Sequence, residues 1–109
     1  MNYAHPELAA GKWQSLSLFN QLGNAGSEVS RARIFEQKNP EQFKKAIFRA
    51  LELLDLTIQD PKNRPRLKEI CRAREVLTDV VFGDNQYKTT LADLDQYFTQ
   101  FAIAARLKL

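Results

Sequence analysis

FKKAIFRALELLDLTI, Phe43 to Ile58, decides the fold. The run contains neither glycine nor proline. Phe43, Ala46, Ile47, Ala50, Leu51, Leu54 and Ile58 recur at the three- and four-residue spacing of one helix face. Leu53 and Thr57 widen that face beyond a stripe. A helix this apolar needs neighbours on more than one side, which predicts the central helix of a bundle.

Before this run, Asn39-Pro40-Glu41-Gln42 is a helix start. Asn39 suits the N-cap and Pro40 the first helical position. The central helix is expected to end near Asp60. Pro61 and Pro65 bracket a connector, and a third helix follows from about Pro65 to Phe82. Its stripe is Leu67, Ile70, Cys71, Leu77 and Val81, and Gly83 is placed to end it in a left-handed conformation. Thr90-Leu91-Ala92-Asp93 reads as a capping box with aspartate in its third position. The fourth helix then turns Leu91, Leu94, Phe98, Phe101, Ala102 and Ala105 inward as far as about Leu107.

Upstream, a first helix is predicted from about Lys12 to Gln37, with Leu18, Leu22, Ala25, Val29 and Ala32 as its stripe. Gly23, Asn24, Gly26 and Ser27 lower helix propensity in its middle. Either the helix breaks there and Ser27 caps a second piece, or it continues and the small residues admit a close partner. The stripe keeps its phase from Leu22 to Val29, which favours continuity. Residues 1 to 11 form an arm set off by His5-Pro6 and Gly11. Residues 12 to 109 form one domain. Short connections between four amphipathic helices predict an all-α, up-down antiparallel four-helix bundle.

The chain has 109 residues and a net charge of +3. That length suits one domain with a modest core. Its single cysteine, Cys71, excludes an internal disulfide framework and fits a reducing compartment. MNYAHPELAA lacks the basic and apolar regions of a secretory signal, and no apolar run reaches membrane-spanning length. The expectation is a cytoplasmic protein with no membrane partner.

Arg74 lies on the apolar stripe of the third helix, between Ile70 and Leu77. A cation there must snorkel outward or find an acid. A short-looped hairpin brings Asp55 to its level, while Glu28 and Glu75 are other partners. The pair Asp55–Arg74 reads as a buried ion pair fixing register, or as a polar site for an anion. A bundle di-metal site needs inward carboxylates with Glu-x-x-His pairs, and the one histidine, His5, lies in the arm. No metal and no cofactor is expected. Cys71, on an apolar helix side, reads as core rather than nucleophile. No Gly-x-Ser-x-Gly elbow, phosphate loop or dinucleotide fingerprint is present. An enzyme and a small-molecule substrate are therefore not expected.

Charge is polarised along the chain. From Pro61 to Arg74 the bases are Lys62, Arg64, Arg66, Lys68, Arg72 and Arg74, against Glu69 alone. From Glu75 to Phe101 acids predominate, with Lys88 the one base. The basic connector, Lys62, Arg64, Arg66, Lys68 and Arg72, could track the phosphates of a nucleic acid. Such a run is more usually a solvated face, and no aromatic is interleaved for stacking. Phe48 and Leu56 stand on the otherwise polar side of the central helix. They suit a self-association patch unless another segment covers them. Trp13, Leu16, Ile34 and Phe35 stray from the first stripe and give the same hint.

The strings LGNAGSEVSRA, RALELLDLTIQD, LKEICRAREVL and DQYFTQFAIAAR together resemble a group of small uncharacterised all-helical prokaryotic proteins. The resemblance spans about residues 13 to 106. It implies a helical fold and a prokaryotic cytoplasmic setting, and carries no activity or site residue across. At the level of fold the chain is also similar to HEPN-type helical bundles, many of which are ribonucleases. Their signature places a histidine shortly after an arginine. Arg72 and Arg74 are followed by none, which argues against that chemistry. The leading expectation is a non-enzymatic, homo-oligomeric interaction module; the alternative is nucleic-acid association.

Overall fold

The structure, a computed structural model, describes residues 11–107. Tyr3, His5 and Leu8 of the expected arm lie outside the described residues. A short 3-10 turn, Trp13–Ser15, precedes four helices: α1 (Leu18–Phe35), α2 (Pro40–Gln59), α3 (Leu67–Phe82) and α4 (Leu91–Arg106). A second 3-10 segment, Pro61–Arg66, links α2 to α3. The fold is an all-α up-down four-helix bundle, and the described residues contain no strand.

Local side-chain chemistry sets the helix starts. Ser17 accepts from the Asn20 amide at 3.1 Å, so α1 begins there and not at Lys12. Asn39 accepts from the Gln42 amide at 3.1 Å, with Pro40 at the first position. At α4 the capping box is complete: the Asp93 amide donates to Thr90 and the Thr90 amide donates back to the Asp93 carboxylate. These bonds hold the Asp93 carboxyl below its usual range. Gly83 corrects an expectation, because its φ of −103° is extended rather than left-handed. Positive φ falls instead at Asn85 and Lys88 in the following loop.

α1 runs unbroken through Gly23 to Ser27, as its phase predicts. The glycines are there for closeness. A Cβ on Gly26 would lie far inside contact distance of Phe98 Cβ, and one on Gly23 would meet the Ala102 backbone at 3.0 Å. Without side chains at these positions, α4 settles directly on the α1 backbone. α1 consequently packs closely on both α2 and α4, whereas α3 rests more lightly on α2 and touches α4 least. The tight centre of the bundle is thus shared by α1, and is not α2 alone as its sequence suggests. The core joins Leu22, Val29 and Ala32 of α1 to Ile47, Ala50 and Leu54 of α2, with Leu77 of α3 and Phe98 of α4.

Gly26→Ala tests the closeness. Helix propensity alone would stabilise the variant by about 1 kcal/mol. The obstructing atom is a core carbon fixed next to the α4 backbone, so overpacking at about 1–3 kcal/mol should prevail. Urea denaturation should show a net loss of stability and thermal melting a drop of several degrees. A stabilised variant would mean that α4 can shift away at little cost.

Candidate functional site

The most concentrated buried chemistry lies where the start of the chain meets the end of α2. Gln21, Thr57, Asp60 and Asn63 are all buried, and Trp13 is sealed among them. Trp13 Nε1 donates to Thr57 Oγ1 at 3.0 Å, and that hydroxyl donates to the Leu53 carbonyl at 2.7 Å. The Gln21 amide nitrogen donates to the Trp13 carbonyl at 2.9 Å and to Asp60 Oδ2 at 2.8 Å. Asn63 donates to Gln21 Oε1 at 2.8 Å and to the Thr57 carbonyl at 2.9 Å. Lys62 caps the group: its amide and its Nζ both donate to Asp60, and Nζ also reaches the Gln14 carbonyl. Burial alone would raise the Asp60 carboxyl. The hydrogen bonds from Lys62 and Gln21, with the Lys62 charge, outweigh it and hold the group below its usual range.

Every side chain in this knot has a partner within it, so nothing is left pointing at a ligand. It fastens four segments together. The sequence carries one signal for it: Gln21 falls among Leu18, Leu22 and Ala25 on the inward stripe, where a carboxamide must be satisfied internally. The orphaned buried side-chain atom among the described residues is elsewhere, at Glu28 Oε2. Arg49 stands 4.0 Å from it, and Arg31 pairs with the other carboxylate oxygen at 2.7 Å.

Asp55 and Arg74 do pair, through two bonds of 2.6 and 3.2 Å. The expectation of burial is corrected, because the two side chains stay 38% and 35% exposed. α3 sits lightly enough on α2 for water to reach both. A pair this wet contributes little to stability beyond fixing register.

The basic connector divides. Lys62 is committed to the knot, and Arg66 pairs with Glu69 at 2.7 Å. Glu69 also accepts from the Tyr97 hydroxyl at 2.8 Å. Burial chiefly, and this bond, push the Tyr97 hydroxyl well above its ordinary range. Arg72 stands 3.9 Å from Glu75 and lies over the Tyr87 ring. Arg64 and Lys68 meet no carboxylate among the described residues. Arg64, Lys68 and Arg72 line one open groove together with Cys71. Cys71 is therefore half-buried at that groove, which corrects its assignment to the core.

The pairing of Phe48 with Leu56 does not hold. Leu56 is buried within the core cluster, and the Trp13–Ser15 turn packs on α2 at the adjacent Thr57. Phe48 stays 57% exposed and stacks on Phe82, which is 52% exposed, with ring centroids 5.9 Å apart. Sequence reasoning missed Phe82, the last residue of α3. Trp13 is covered by its own chain, while Ile34 is exposed.

Among the described residues no three histidine, cysteine, aspartate or glutamate side chains gather as a metal site, and no helix is long and apolar enough to cross a membrane. No protein-family model, curated protein or solved structure matches the chain.

Two variants test the knot. Gln21→Leu removes one hydrogen bond each from Asp60, Asn63 and the Trp13 carbonyl, and should cost about 1–3 kcal/mol in chemical denaturation. Asp60→Asn addresses pH. A carboxyl depressed in the folded state contributes stability above its unfolded value, near pH 4, that disappears as pH falls through the folded value. The variant should be less stable at neutral pH and lose less stability than wild type on acidification below about pH 4. An unchanged acid limb would remove Asp60 as its source.

Proposed function

We propose that the chain is a non-enzymatic interaction module that assembles with a second copy of itself through the Phe48–Phe82 face. The observation that carries this is the stack itself. Two phenylalanines from neighbouring helices meet ring to ring, yet both remain more than half exposed. Isolated exposed apolar residues are ordinary, whereas a paired aromatic patch marks a contact surface.

The surrounding charge favours a second copy as occupant. Lys44 and Lys45 lie one turn before Phe48 on α2, and Asp84 follows Phe82 just beyond α3. A two-fold axis running along the helices sets α2 of one copy against α3 of the other. Lys44 of each then faces Asp84 of its mate, and the phenylalanines meet at the axis. Such an isologous face is self-complementary in both shape and sign. The buried polar chemistry, satisfied within the knot, supports a binding role over catalysis.

Sedimentation across a concentration series should show a reversible dimer that Phe48→Ser with Phe82→Ser renders monomeric without loss of helicity. Lys44→Glu and Asp84→Lys should each weaken it, and mixing the two variants should restore it, because the mixed pair recovers opposite charges at both contacts. A wild-type chain that stays monomeric at several hundred micromolar would overturn the proposal.

A further inference from the structure

We infer that the open groove along the outer edge of α3 binds a short stretch of single-stranded nucleic acid. It encloses about 570 Å³ beside Arg64, Lys68 and Arg72. These three recur every four residues along the end of the connector and the first half of α3. From Lys68 to Arg72, both in α3, the helix advances about 6 Å, a step comparable to that between successive phosphates of an extended strand, and Arg64 extends the row from the connector. Arg64 and Lys68 have no anionic partner among the described residues, so a phosphate would displace no ion pair at either. The row is what remains of the basic connector once Lys62 and Arg66 are taken by Asp60 and Glu69.

The aromatic residue missing from the basic run comes from the loop after α3. The Arg72 guanidinium lies 5.3 Å over the Tyr87 ring, and Tyr87 is 42% exposed. Its hydroxyl donates to Glu75 at 2.9 Å and its amide to Asp79 at 3.1 Å, which pin the ring in place. A row of cations ending at a fixed aromatic is the arrangement that holds single strands: phosphates track the charges and a base stacks on the ring. A duplex would leave the ring without an unpaired base. Glu75 at the groove, with Asp79 and Asp84 beyond Tyr87, repels phosphates there and confines the footprint to about three.

The test is fluorescence anisotropy of a labelled oligothymidylate and its RNA counterpart, on the order of ten nucleotides long, beside a hairpin duplex. Three phosphate contacts on a single strand predict a slope of about −2 for log affinity against log salt, roughly a hundredfold loss over a tenfold salt increase. Arg64→Gln with Lys68→Gln should weaken binding at least about tenfold and bring the slope to about −0.7. Tyr87→Leu should weaken it by about fivefold or more, while Tyr87→Phe, which keeps the ring and the amide bond to Asp79 but loses the bond to Glu75, should weaken it less. Circular dichroism confirms that each variant is folded. Binding by the Phe48→Ser/Phe82→Ser chain with the same salt slope, even at lowered affinity, separates this site from self-association. No binding at low salt, tighter binding to the duplex, or a double variant that binds like wild type would each overturn the inference. Tyr87→Leu binding undiminished would overturn the assignment to a single strand.

Discussion

A carboxamide that cannot reach water organises one end of this protein. Gln21 sits on the inward face of α1 among leucines and alanines, and its polar atoms must be satisfied by what surrounds them. Its nitrogen is held by the Trp13 carbonyl and Asp60, and its oxygen by Asn63. Meeting that demand fixes the turn before α1, the last turn of α2 and the connector in one arrangement. Asp60 does double duty by also accepting from the Lys62 amide, which starts the 3-10 segment. The direction in which α3 leaves, and with it the placement of Arg64 and Lys68, follows from a hydrogen-bonding requirement at a residue that touches neither. Buried polar groups of this kind cost much when broken and specify geometry when complete.

On the face that α1 turns to α4 the bundle is organised by absence of bulk. Gly23 and Gly26 let α4 lie against the α1 backbone, so Phe98 fills the space that side chains on α1 would occupy. α3 has no such accommodation. It is fastened by the half-exposed Asp55–Arg74 pair, by Tyr97 reaching from α4 to Glu69, and by an inward face of Ile70, Ala73 and Leu77. The result is a bundle with a tight side and a looser one, and both proposed surfaces belong to the looser side.

What the sequence revealed follows the range of the physics involved. Caps depend on side chains within three residues, and Asn39 and the Thr90–Asp93 box were legible for that reason. The stripe through Gly23 and Gly26 was legible because phase is a local property carried along the helix. Asp55 and Arg74 could be paired because a short connector sets two antiparallel helices level. Residues whose setting depends on how far a neighbour approaches were not legible. Leu56 is buried in the core cluster although it stands off the apolar stripe, and Cys71 is half-buried because α3 sits away from its neighbours. Phe82 ends its helix, where periodicity no longer shows which way a side chain turns. The knot is not legible because its members come from four segments, and only Gln21 carries a local anomaly. Gly83 shows the converse: composition suits it to a left-handed turn, yet its backbone is extended and the left-handed residues are Asn85 and Lys88.

The light seating of α3 has a thermodynamic corollary. Phe82, Arg72 and Lys68 all ride on this helix, and Tyr87 is pinned to it through Glu75 and Asp79. A partner that needs these groups in their present positions binds only when α3 is docked. Its binding energy therefore adds to the stability of that docking, by an amount that grows with the logarithm of its concentration. Conversely, whatever loosens α3 lowers apparent affinity at both faces together, although they lie on different sides of it. Occupancy at the stack and occupancy at the groove are thus linked through one helix, and each would favour the other.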